Sequence, residues 1–127
     1  MFEHDQIIYA IEQKYSLQHG RDFVVGHPLG DDGKQSGEAY IMRWLSTQTP
    51  PSMLWMRELF ASTYSDGFDA MMARETRDLI LSKSDWTQNA DVDPALKAKY
   101  VPYRQLLRDI SSQEGFPKLI VWPIEPK

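Results

Sequence analysis

The chain contains no cysteine, which excludes disulfides and thiolate metal sites and fits a reducing compartment. Nowhere does it approach the ~18 consecutive apolar residues of a bilayer-spanning helix. Its opening residues, MFEHDQ, do not form a charged region followed by an apolar one. A soluble, unprocessed protein without a membrane partner is therefore expected. A basic excess is missing too, since 14 Lys and Arg stand against 18 Asp and Glu, for a net charge of -4. Nucleic-acid binders carry a basic footprint that neutralises phosphates, so a protein partner is expected rather than a nucleic acid. Internal repeats and low-complexity runs are absent as well. What is present is ordinary for a globular protein: 42% hydrophobic and 25% charged residues over 127 positions. That suffices for one domain with a modest core, or for two small subdomains.

Chemical signatures are equally scarce. His4, His19 and His27 fall in three separate segments without ligand spacing, so neither a metal site nor a cofactor is expected. Asp31-Asp32-Gly33 lacks the alternating oxygen ligands and closing Glu of a calcium loop. Gly30 to Lys34 lacks the spacing of a phosphate loop. Both read as turn residues. A catalytic centre needs a nucleophile beside an oriented base, or two carboxylates in different environments. Asp78, Asp85 and Asp109 stand near Arg77, Arg104 and Arg108 in a helical reading, and a structural cluster of ions and hydrogen bonds is favoured over a catalytic one. The chain is not expected to be an enzyme.

Taken in order, residues 4–16 place Ile7, Ile8, Ile11 and Tyr15 on one helical face, with Gly20 expected to close the helix. Residues 21–25 alternate as a strand, GHPLGDDGKQSGE is turn chemistry, and residues 38–45 form the return strand. That return strand is expected to group Tyr40, Met42 and Trp44 on one face. Thr49-Pro50-Pro51-Ser52 breaks it and marks the expected boundary between subdomains 1–48 and 49–127. Ser52 is expected to cap a helix through Ala61 that buries Met53, Met56 and Phe60. Tyr64 to Gly67 reads as a turn, after which Phe68, Met72 and Leu79, flanked by Met71 and Ile80, line a second helix. The methionines are mainly core residues in this reading, with a smaller share lining a binding groove. Arg74 and Asp78, four residues apart, are spaced to pair. The fold class expected is α+β: a helix with a two-stranded hairpin, then a mainly helical half.

The last third is the most patterned. Leu96, Tyr100, Tyr103, Leu107 and Ile110 recur at steps of four and three and define a narrow apolar helical stripe. Asp93-Pro94 supplies its start and Gly115 its expected stop, while Pro102 predicts a kink or a fresh helix near Val101. Trp86 stands in a polar connector, SDWTQNAD, and is expected to fold back as a buried plug between two helices.

RDL at 77–79, SDWTQ at 84–88, YRQ at 103–105, LRDI at 107–110, GFP at 115–117 and WP at 122–123 stand in an order that resembles the phage tail assembly chaperone family. The matching residues are Arg77, Asp78 and Leu79, then Ser84, Asp85, Trp86, Thr87 and Gln88. They continue with Pro94, with Tyr103, Arg104 and Gln105, and with Leu107, Arg108, Asp109 and Ile110. The words end on Gly115, Phe116 and Pro117 and on Trp122-Pro123. The first third, through Ala10-Ile11, Lys14-Tyr15, Gly20, Asp22-Phe23, Val25, Ile41, Trp44 and Pro50 to Ser52, resembles other small tail proteins of tailed phages. The resemblance implies a non-enzymatic assembly factor, acting in the host cytoplasm, that holds a tail or tail-fibre protein during virion assembly. The alternative it leaves is a structural tail component retained as a connector.

The tail GFPKLIVWPIEP is β-prone at Leu119 to Trp122, and prolines at 117, 123 and 126 prevent long regular structure. Two readings stand: packing back along the helices, or adding as a strand to a partner's sheet. Phe116, Leu119, Val121 and Trp122 are the expected partner contacts.

Overall fold

Helical spacing at the N-terminus and alternation after Gly20 produce the elements they specify. The computed structural model describes residues 1–127 and has an α+β fold that is mostly helical. Its elements are α1 (His4–Tyr15), β1 (Phe23–Gly26), β2 (Tyr40–Trp44), α2 (Met53–Leu59), α3 (Ser65–Ser84) and α4 (Pro94–Arg108). A π-helical turn, Phe60–Tyr64, joins α2 to α3, and 3-10 turns at Asp85–Gln88 and Ile110–Ser112 follow α3 and α4. The chain divides into two compact units, Met1–Phe68 and Asp69–Lys127. The Pro50-Pro51 break lies within the first of them. No helix is long and apolar enough to cross a membrane.

In the first unit α1 buries Ile7, Ala10 and Ile11. Its stop is Ser16, not Gly20: Ser16 takes the left-handed conformation at φ 56° and donates its N–H to Glu12 O at 3.0 Å. Closing the last turn there outweighs the roughly 1 kcal/mol that this conformation costs a residue with a Cβ. Gly20, at φ 90°, instead serves the turn that leads into β1.

Strands β1 and β2 pair antiparallel, Phe23 with Trp44 and Val25 with Ile41, and the register slips between Val24 and Val25. Arg43 pairs with Val24, so Met42 is the extra residue of a β-bulge. The bulge resets the alternation. Ile41 and Trp44 are half-buried, while Tyr40 and Met42, expected beside Trp44, are exposed.

Ser52 caps α2 as expected, its Oγ accepting the Trp55 N–H at 3.1 Å. The turn expected at Tyr64 to Gly67 is absent, and the helix continues through the π-helical turn. The additional residue in that turn rotates the apolar face so that Phe60 and Phe68 meet at 5.6 Å between ring centroids. Phe2 then lies 5.9 Å from Phe60 and Tyr9 lies 5.7 Å from Phe68. Gly67 contributes close approach here: the Tyr9 hydroxyl occupies the space a Cβ would fill.

Within the second unit the inward residues of α3 are Ala73, Arg77, Ile80, Leu81 and Ser84, at helical spacing but with Arg and Ser in the stripe. Met72 and Leu79, expected inside, are exposed. Arg74 lies over the Phe116 ring at 5.4 Å instead of pairing with Asp78, which takes the Arg77 Nε–H at 2.9 Å. In α4, Asp93 caps the N-terminus through Ala95 N–H, and Tyr100, Tyr103, Leu107 and the following Ile110 are buried as the stripe predicts. The helix runs through Pro102, so no fresh helix starts there. It ends at Arg108. Gly115 belongs to the next turn, accepting the Leu119 N–H at 2.7 Å where Leu119 leaves no room for a Cβ.

Candidate functional site

Two of the words that carry the resemblance, SDWTQ and YRQ, meet at the end of α3. The last carbonyls of a helix have no intrahelical donor and attract positive charge. Arg104 of α4 supplies both: its Nη1 donates to Leu81 O at 2.9 Å and to Ser84 Oγ at 2.7 Å, and its Nη2 donates to Asp85 Oδ1 at 2.7 Å. Arg104 is only 7% exposed, and its Nε has no acceptor among the protein atoms. Thr87 is fully buried beside it and donates to Ser84 O at 2.6 Å. Gln88 donates to Thr87 Oγ1 at 3.0 Å and to Lys97 O at 3.3 Å, tying the connector to α4.

Trp86 does not plug this junction. It is 53% exposed, because the 3-10 turn over Asp85–Gln88 directs Ser84 and Thr87 inward and leaves the indole outside. The three aspartates do not converge either. Asp78 is bound to Arg77, Asp85 to Arg104, and Asp109, just past the end of α4, to Gln105, while Arg108 is exposed. Among the six charged residues singled out, Arg104 and Asp85 pair between α4 and the end of α3, and Arg77 pairs with its chain neighbour Asp78.

The tail packs back on its own unit. Trp122 rests against the cluster of Tyr100, Tyr103 and Leu107, together with Ile80, Leu81 and Leu96. The Gln113 carboxamide holds Val121 at both ends, donating to Val121 O and accepting Val121 N–H, each at 2.8 Å. Tyr100 donates its hydroxyl to Glu125 Oε1 at 3.1 Å, and Lys118 pairs with Asp69. With the backbone so held, alternate side chains go opposite ways. Ile120 and Trp122 are half-buried, whereas Leu119 is 77% and Val121 80% exposed; the alternation ends at Pro123, beyond which Ile124 is 88% exposed. A groove of about 480 Å³ runs along this surface, lined by Leu106, Gln113, Val121, Trp122, Pro123 and Ile124. A second, of about 460 Å³, lies between Met72, Thr76, Lys118, Ile120 and Trp122.

Of the four expected contact residues, Leu119 and Val121 face outward, and Phe116 and Trp122 are half-buried. Leu106, Ile124 and Gln113 were not legible as members of this surface. The Leu106-Leu107 pair held one usable signal, since adjacent residues cannot share one narrow helical stripe and Leu107 is on it. Gln113 carried none.

Burial raises the Tyr100 phenol above its ordinary value of 10.0, and the hydrogen bond to Glu125 and the Glu125 charge act in the same direction. Burial raises Tyr103 as well. A folded-state value above the unfolded one contributes stability in full below pH 10.0, and that contribution is lost as the pH rises through the folded value. Glu125→Gln is therefore expected to bring the Tyr100 titration down toward 10.0, read as tyrosinate absorbance against pH. An unchanged titration curve would remove Glu125 as a cause.

Residues 70–127 match the family described as phage tail assembly chaperone protein. This segment contains the charged junction, the tail and, apart from Asp69, the residues that line both grooves, and the match supports a role in phage tail assembly. No curated protein and no solved structure matches the chain.

Proposed function

We propose, from the family matched by residues 70–127, that the protein is a non-enzymatic tail assembly chaperone. In this reading it binds a tail or tail-fibre protein in the host cytoplasm and covers apolar surface on that protein until it is incorporated. The observation that carries the proposal beyond the family match is the set of exposed apolar side chains Leu119, Val121 and Ile124, with Val121 held by Gln113, and with Val121, Ile124 and exposed Leu106 lining one groove. Exposed apolar side chains clustered beside a groove are poor solvated surface and good docking surface. Exposed Trp86 offers an aromatic anchor on the same unit.

Leu119→Asp with Val121→Asp tests this. Both side chains point to solvent, so the double variant is expected to keep the circular dichroism and melting curve of the parent. Co-expressed with its genetic neighbours, it is expected to capture the parent's tail protein with affinity reduced about tenfold or more. Undiminished capture would place the interface elsewhere. The chaperone reading further expects the protein to be absent from purified particles, and its stoichiometric presence there would make it a structural component.

A further inference from the structure

Three histidines that are far apart in sequence meet at β1. The His4 ring lies 5.0 Å from His27 and 5.8 Å from His19 between centroids, both edge to face. Two of them hold one residue: His19 Nε2 accepts the Val25 N–H at 3.2 Å, and His4 Nε2–H donates to Val25 O at 3.2 Å. His27 Nδ1–H donates to Pro28 O at 3.2 Å. Val25 is buried and sits at the register slip of the two-stranded sheet. Its hydrogen-bonding groups are thus satisfied by imidazoles.

We propose that this histidine clasp makes the first unit sensitive to mild acid, with His19 as the residue that releases. The two rings respond to a proton in opposite ways. His4 can carry a charge without losing a partner, because its Nδ1 lies 3.2 Å from Asp5 Oδ1 and its Nε2 already donates. His19 cannot. A proton on Nε2 replaces the lone pair that accepts Val25 N–H, leaving a buried donor without a partner and a second positive charge beside His4.

The charged neighbours come from each surrounding element. Asp5 of α1 and Glu3, its N-cap, flank His4, and Glu12 Oε2 accepts the His19 backbone N–H at 3.4 Å. Lys34 of the loop between β1 and β2 lines the same hollow as His4 and His27. Arg21 and Asp22, after His19, close on each other at 2.6 Å. From β2, Ile41 pairs with Val25 and brings no charge. None of these contacts replaces the acceptor that Val25 N–H loses.

The test is amide hydrogen exchange at Val25, followed by NMR in the full chain and corrected for the intrinsic pH dependence. As the pH falls through the range around 6.5 in which imidazoles ordinarily protonate, protection at Val25 is expected to drop about tenfold or more. In His19→Gln, whose side-chain oxygen accepts the same bond without titrating, the drop is expected to disappear. An equal drop in the variant, or none in the parent, would overturn the proposal. The parent alone supplies a second check, since ring nitrogen shifts at neutral pH must report His19 with Nε2 unprotonated. A protonated Nε2 there would also overturn it.

Discussion

Phe23→Ala is expected to lower the stability of the first unit by about 3–5 kcal/mol. Phe23 is fully buried in a strand of four residues, where only alternate positions face inward. Its ring lies 5.3 Å from His19 and 6.1 Å from Trp44, so truncation empties a space bounded by a turn and by the partner strand. Neither neighbour is free to fill it, because His19 is bound to Val25 N–H and Trp44 Nε1–H to Gln48 O. A site that cannot collapse lies at the upper end of the cavity cost. Denaturant unfolding followed by tryptophan fluorescence measures the loss, with half-buried Val24→Ala as a control expected to cost about 1 kcal/mol or less. Equal losses in both variants would mean that β1 is held by its backbone pairing and not by this side chain.

The sequence made legible whatever depends on spacing and local chemistry. The α4 stripe, the caps at Ser52 and Asp93, and the hairpin all follow from residues within a turn or a strand of one another. The π-helical turn and the β-bulge were hidden because each inserts one residue into a regular period, and only tertiary packing of Phe60, Phe68 and Trp44 selects them. Trp86 was misplaced by a rule about cost. Exposing an indole is unfavourable, but the connector has one inward position to fill after Ser84 and Thr87 fills it with two hydrogen bonds. The histidine clasp had no sequence signal, since its members are separated by 15 and 8 residues along the chain. The tail showed its period of two, but which set faced outward depended on Gln113 and on the aromatic cluster beneath Trp122.

Arg104→Ala is expected to cost the second unit about 2–3 kcal/mol, and the cause is not the ion pair. Asp85 is exposed and stays hydrated when its partner is removed, so that contact alone contributes less than about 1 kcal/mol. What cannot rehydrate freely is the end of α3, where buried Ser84 Oγ loses the Nη1 donor and Leu81 O keeps only the Ser84 Oγ–H at 3.2 Å. Asp85→Asn is accordingly expected to be nearly neutral in urea denaturation. Arg104→Lys is expected to recover only part of the loss, because an ammonium cannot reproduce the planar fork that reaches the helix end and Asp85 at once. Raising the salt concentration separates the two causes, since it screens an exposed pair and barely affects a buried hydrogen bond. If Asp85→Asn matched Arg104→Ala, and both losses shrank in high salt, the junction would be electrostatic. The expected order, a large loss for Arg104→Ala, a small one for Asp85→Asn and little salt dependence, makes Arg104 a cap supplied by α4 to the end of α3. It would also explain why the SDWTQ and YRQ words occur together: one provides the helix end and the other its donor.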